Sequence, residues 1–391
     1  MDKAIAQQAE TYSRTKRILG QIEGSVKSPT VVVFAGIHGN EKAGVKAAMQ
    51  VLQKIGEWNP AFKGNLYILL GNIGALNKNV RYQDTDLNRA WKRERIDAIL
   101  NSSPELDAET IEQIEIFDSI KSIVKKDKGP FFFLDLHTTS SNSVPFITIS
   151  DSLNNRKFSS YFPIPVVLGI EEYLEGPLLT FINDHGHIAL GFEGGQHVDE
   201  RSVNTCEAFL WKSLVHSKCL DRNEILDFKQ YERELANLCC SYQFFDISFR
   251  YQLQPGEHFE MKPGFENFEK IKKQQHLALS NGKRILAHEN GRIFMPLYQK
   301  LGEDGYFILQ RVSWFWLKAS IIARKWKINN FLRMIPGVRK DPENSFTLIV
   351  DPKIARFMAK EIFHLFGYRQ QIYKDDKLHF IKRDRKITPM D

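Results

Sequence analysis

The sequence predicts an α/β sheet with helices on both faces, then a small all-β unit, then a basic extension. Three observations carry that expectation. Short apolar runs rich in β-branched and aromatic residues alternate with longer amphipathic stretches as far as about Tyr251. From there the texture changes to short strands broken by Pro, Gly and Asn-Gly. Beyond Arg311 the charge changes: residues 311–391 hold 18 Lys/Arg against 8 Asp/Glu, which leaves residues 1–310 at about −3 although the whole chain is +7.

The apolar runs read as strands in order: PTVVVFAG (29–36), GNLYILLGN (64–72), GPFFFLDLH (129–137), PFITIS (145–150) and HIALGFEGG (187–195). Helical patterns separate them, Glu41 to Lys54 and Glu105 to Lys126 among them. Two Asn-Gly pairs, in LSNGKRILAHENGRIFMPLY, are hairpin signals. SWFWLKASIIARKWKINNFLRMIPG reads as one or two helices, and the remainder as strand, helix and strands. At 391 residues the chain exceeds one ordinary core. Three units are expected, at 1–248, 249–310 and 311–391.

Composition excludes several classes. With 42% hydrophobic and 26% charged residues the chain is that of a folded protein. MDKAIAQQAE lacks the apolar core of an export signal, and no run of 18 apolar residues occurs, so a cytoplasmic location is expected. Cys206, Cys219, Cys239 and Cys240 form no CxxC pair, which argues against a thiolate zinc site or a disulfide framework.

The chemistry concentrates at strand ends, where ligands bind in open α/β sheets. In VVVFAGIHGNEKAG, His38 and Glu41 stand three residues apart, a spacing that puts imidazole and carboxylate on one side of a helical turn. His137, closing the apolar strand FFFLDLH, supplies the third donor; two His and one Glu form the zinc set of carboxypeptidase A. Taken singly, His38 and Glu41 would cap a helix and His137 would end a strand. NVRYQDTDLNRAW (79–91) changes the balance, because Arg81, Asn88 and Arg89 suit carboxylate recognition and carbonyl polarisation. Glu193, at the end of LGFEGG, fills the role of general base and acid. Asp135, two residues before His137 on the same strand face, is placed to orient that imidazole.

GIHGNE, DLNR, DLHTT and FEGG, in that order, resemble the succinylglutamate desuccinylase/aspartoacylase family, a branch of the zinc carboxypeptidase-like fold. The resemblance covers residues 28–200 and, more loosely, the β-unit through GRIFMPLY. It implies a mixed sheet flanked by helices and one zinc ion per chain on His38, Glu41 and His137. It further implies Glu193 as base and acid, Arg81 for the oxyanion, Asn88 and Arg89 for a substrate carboxylate, and Tyr298 reaching the site from the β-unit. The activity implied is hydrolysis of the amide bond of an N-acylated amino acid, not of a peptide. A carboxypeptidase acting on short peptides, and a membrane-associated binding protein with a vestigial zinc site, are the competing readings.

One position departs from the family pattern. Where aspartoacylase-like members carry a basic residue for the substrate's side-chain acid, Asn183 stands, and Gly169 to Glu200 contains no Lys or Arg. Glu171, Glu172, Glu175 and Asp184 make that stretch acidic, so repulsion of a doubly acidic substrate is expected. In the tail, residues 311–340 hold eight Lys/Arg and no Asp or Glu among several aromatics. Trp314, Leu317, Ile321, Ile328, Leu332 and Ile335 are expected to dock on the catalytic domain; contact with an anionic membrane surface is the alternative. No nucleic-acid motif is present. A homo-oligomer is left open.

Overall fold

The computed structural model describes residues 16–390 except 102–105, 239–241, 300–301, 327, 352, 354–359 and 375. Cys239 and Cys240 lie outside the described residues; Cys206 and Cys219 are buried free thiols. In chain order the first strands are β1 (Ile18–Ile22), β2 (Thr30–Ala35), β3 (Asn65–Leu70), β4 (Phe131–Thr139), β5 (Phe146–Ile149), β6 (Val166–Leu168), β7 (Ile188–Gln196) and β8 (Phe244–Gln252). They belong to one eleven-stranded mixed sheet, ordered β1-β3-β2-β4-β7-β5-β6-β8 and continued by Asp304–Arg311, Gly291–Phe294 and Lys270–Ile271.

The centre of the sheet is parallel: β2 pairs in parallel with β3 and β4, and β4 with β7. Such strands are covered on both faces, which is why TVVVFA and FFFLDLHTT are buried at every position. Alternate residues feed two cores. Val31, Val33 and Ala35 enter one core with residues of the helices Ala43–Trp58 and Arg201–His216, while Val32 and Phe34 enter the other with residues of Ala108–Lys126.

The expected boundaries at 248/249 and 310/311 fall inside strands, β8 and Asp304–Arg311, which pair with each other and extend the large sheet. Asn281-Gly282 makes the anticipated two-residue hairpin between His276–Ser280 and Lys283–Leu286, with φ of +48° and +76°. Asn290-Gly291 does not. The strand after it pairs with Lys270–Ile271 and Asp304–Arg311, so this dipeptide links two sheets rather than two hairpin strands.

The extension begins with the helix Trp314–Lys325 and a 3₁₀ segment, Ile328–Met334. It ends in a four-stranded antiparallel sheet with a helix at Lys360–Leu365. It docks partly through charge. The Asp151 carboxylate is buried among the guanidinium groups of Arg156, Arg324 and Arg369, and Arg369 also reaches Asp246 and Glu172. No helix among the described residues is long and apolar enough to cross a membrane.

Candidate metal centre and cleft

β2 leaves the sheet through Gly36, whose φ of +76° favours glycine. Gly39 is packed so closely that a Cβ would lie 2.1 Å from the Ala75 carbonyl carbon. The turn therefore sits hard against the chain after β3 and delivers His38 and Glu41 into the cleft above the strand ends. His137 arrives on β4. Its register partner on β7 is Glu193, so two residues 56 apart in sequence become neighbours by strand pairing alone.

The donors converge. His38, Glu41 and His137 each offer a ligand atom within 4.8 Å of the others, and all three are buried. Glu41 lies between the imidazoles: Oε1 is 2.9 Å from His38 Nδ1 and Oε2 is 3.1 Å from His137 Nδ1. Each outer nitrogen meets a carboxylate, His38 Nε2 at 3.1 Å from Asp86 and His137 Nε2 at 2.8 Å from Asp135. Carboxylates in those places fix ring orientation and direct both Nδ1 atoms to the same point. Burial alone would raise the Glu41 carboxyl, but the two histidines hold it well below the usual range. His137 is held well above the ordinary imidazole value because Asp135 and Glu41 outweigh its burial.

Arg81 donates to both Glu41 and Asp86, at 3.3 Å each. Glu193 lines the same cleft and stands apart from these hydrogen bonds: its Oε2 is buried with no partner. Burial, reinforced by Glu41 and Asp135, pushes its carboxyl up to about 8. Asn88 and Arg89 also line the cleft, from the short 3₁₀ turn Leu87–Arg89. Asn88 accepts from Leu178 N–H, and Arg89 lies 3.9 Å from Asp304, with its Nε buried and unpartnered.

Tyr298 is not brought to the site. Leu297 and Gln299 line the cleft, but the Tyr298 hydroxyl accepts from Phe265 N–H and donates to Lys262 C=O. The strand ends at Phe294, and the irregular segment beyond it leaves Tyr298 exposed. Three other contributors were missed in the sequence. Asp86 caps the turn before Asn88 and holds His38, a role hidden because DTDLNR offers two aspartates with equal claim. Glu109 accepts the backbone N–H groups of Gln83, Asp84 and Thr85 and so fixes the arginine loop. His197, four residues after Glu193, lines the cleft 2.7 Å from Thr138 Oγ1. That spacing from Glu193 was the one available signal.

The acidic stretch also needs correction. Glu171, Glu172, Glu175 and Asp184 do not line the cleft. Glu172 pairs with Arg369, Glu175 with Lys92, and Asp184 with Arg383 and Arg385, while Glu171 is buried with its carboxyl raised to about 7 by burial. Asn183 is likewise turned away, bonded to Asn155 and to Leu179 C=O. The cleft lining also carries apolar side chains, Ile170, Leu174, Leu179, Met295, Leu297 and Phe307 among them.

Residues 27–200 match the succinylglutamate desuccinylase/aspartoacylase catalytic domain. That match spans 174 of the 391 residues, a little under half of the chain. A succinylglutamate desuccinylase of Photorhabdus laumondii is 31% identical over 135 residues, 34% of this chain and 40% of that enzyme. An N-acyl-aromatic-L-amino acid amidohydrolase (carboxylate-forming) of Xenopus laevis is 26% identical over 305 residues, 71% of this chain and 90% of that one. Among solved structures, a succinylglutamate desuccinylase from Vibrio parahaemolyticus superposes with a TM-score of 0.57 at 13% identity, over 78% of this chain and 94% of its own. The desuccinylase/aspartoacylase fold is therefore shared across at least three quarters of the chain.

Proposed function

We propose that the chain is a zinc-dependent amidohydrolase that cleaves the amide bond of an N-acylated amino acid. The single observation that carries this reading is the buried Glu193, with its Oε2 unpartnered, in the same cleft as three converging metal-type donors. Binding alone has no use for a free base next to a metal. The donor set suits the ion: two imidazoles and one carboxylate, each imidazole backed by an aspartate. A zinc ion on His38, Glu41 and His137 would polarise the acyl carbonyl, acidify a water and favour the ionised form of Glu193.

The chain's own groups complete the reaction. Glu193 takes a proton as the water oxygen bonds to the acyl carbon, and Arg81 donates to the developing oxyanion. As the C–N bond breaks, Glu193 returns that proton to the leaving nitrogen, releasing a carboxylic acid and an amine. Arg89 and Asn88 hold the substrate carboxylate. The apolar residues of the same cleft suit a hydrophobic acyl group or side chain, which points away from N-acetylaspartate and N-succinylglutamate and toward N-acylated apolar amino acids.

Elemental analysis of the purified protein tests the foundation. About one zinc per chain is expected, and loss of it in a His38→Ala/His137→Ala variant. Absence of metal from the native protein, even after zinc is supplied, overturns the reading. With zinc present, amine release should be faster from N-acetylphenylalanine than from N-acetylaspartate.

A further inference from the structure

The extension keeps only part of its expected docking face. In the helix Trp314–Lys325 the buried positions are Leu317, Ser320, Ala323 and Arg324. Arg324 is spent on Asp151 and on the His364 and Leu365 carbonyls. Leu332 is buried and Ile335 packs beside it, but Ile328 and Trp314 are not enclosed; Trp314 touches Tyr242 and Phe244 with half its surface in water.

The other face is apolar too. Phe315, Ile322 and Trp326 fall at i, i+7 and i+11, one stripe at 3.6 residues per turn, and all three are exposed. Trp316 flanks them, and the 3₁₀ segment adds Ile328, Phe331 and Met334. Of the twenty large hydrophobic residues exposed among the described residues, eight lie between 314 and 334, each 42% to 76% exposed. The other twelve are scattered, as single exposed hydrophobics ordinarily are. A helix buried on one side and aromatic on the other has a second partner to meet.

Charge selects that partner. Arg311, Lys318, Lys325, Arg333, Arg339 and Lys340 are exposed in the same stretch of chain, and residues 311–340 contain no Asp or Glu. A second copy of the same face would bring six cations against six. A nucleic-acid platform pairs a basic groove with stacking aromatics, whereas Ile322, Ile328 and Met334 add exposed aliphatic surface that stacking does not use. Tryptophan and phenylalanine beside lysine and arginine fit the headgroup region of an anionic bilayer, where aromatic rings insert shallowly and cations meet lipid phosphate and carboxylate.

We infer that residues 314–334 form a membrane-surface anchor for anionic lipid, carried on the outer face of the extension. The anchor lies in the interface and does not span. The full-length protein should co-sediment with vesicles of phosphatidylcholine and phosphatidylserine at low salt, release as salt rises, and ignore pure phosphatidylcholine. Lys318→Gln/Lys325→Gln should lower the partition coefficient about thirtyfold, two charges at about 1 kcal/mol each. Phe315→Ser/Trp326→Ser should abolish binding while leaving the melting temperature unchanged, since neither side chain is buried. Wild-type protein that stays in the supernatant with anionic vesicles overturns the inference. So does patch-dependent dimerisation in light scattering, or patch-dependent binding of an oligonucleotide, without vesicle binding.

Discussion

Two regions of this molecule bury carboxylates beside histidine, and they solve the same electrostatic problem in opposite ways. In the cleft, the four carboxylates of Glu41, Asp86, Asp135 and Glu193 face two imidazoles and two guanidinium groups, those of Arg81 and Arg89. At the junction with the extension, Glu172, Asp246 and His364 come as close together as the cleft donors do, yet Arg369 reaches both Glu172 and Asp246. Asp151 beside them is matched by three arginines. Proximity of donors therefore does not define a metal site. What separates the two clusters is the balance of charge: carboxylates outnumber fixed cations in the cleft and are matched by arginines at the junction.

Three substitutions sharpen that contrast. Glu193→Gln, which keeps size and removes the base, should lower kcat by about 10²- to 10⁴-fold while zinc content is unchanged; a variant with near-native kcat would assign the base elsewhere. Arg369→Met strips the junction of its shared cation, and loss of a buried ion partner costs about 3–5 kcal/mol. Chemical denaturation should report that loss, with zinc content intact; an unchanged midpoint would mean the junction carries no stability.

The third effect is smaller and depends on pH. Glu171 is fully buried, with its carboxyl at about 7 instead of the usual 4.5. A raised carboxyl pKa means the folded state prefers the neutral form, so its stabilising effect is complete below 4.5 and disappears as pH rises through 7. Glu171→Gln stays neutral throughout. At roughly 1.4 kcal/mol per pH unit, the variant's advantage should grow by about 2 kcal/mol between pH 5.5 and 8. A constant difference across that range would place the titration at another group.

Much of the site was legible before any coordinates. His38, Glu41, His137 and Glu193 stand at the ends of apolar strands, and a parallel sheet collects its strand ends on one edge, so short motifs sufficed to bring them together. Arg81, Asn88 and Arg89 came with them because they share one loop. Asp135 was legible from strand alternation alone, and its 2.8 Å contact with His137 follows from it. Tyr298 failed for a related reason: alternation in an irregular segment has no fixed phase, and its neighbours took the inward positions.

What escaped the sequence was pairing over long separation. The acidic run before Glu193 was judged by its local charge, but its cations Arg369, Arg383 and Arg385 stand some two hundred residues away. The hidden support of the arginine loop by Glu109, and the division of the basic helix into a docked face and an exposed one, have the same origin. By itself the sequence determined the strands and the residues that meet at their ends, because these depend on hydrophobic period and residue chemistry near one strand end. Only the tertiary structure decided which charges are neutralised and which surfaces stay open, because a Coulomb partner or a covering side chain is chosen by distance in space, and chain separation carries no record of it.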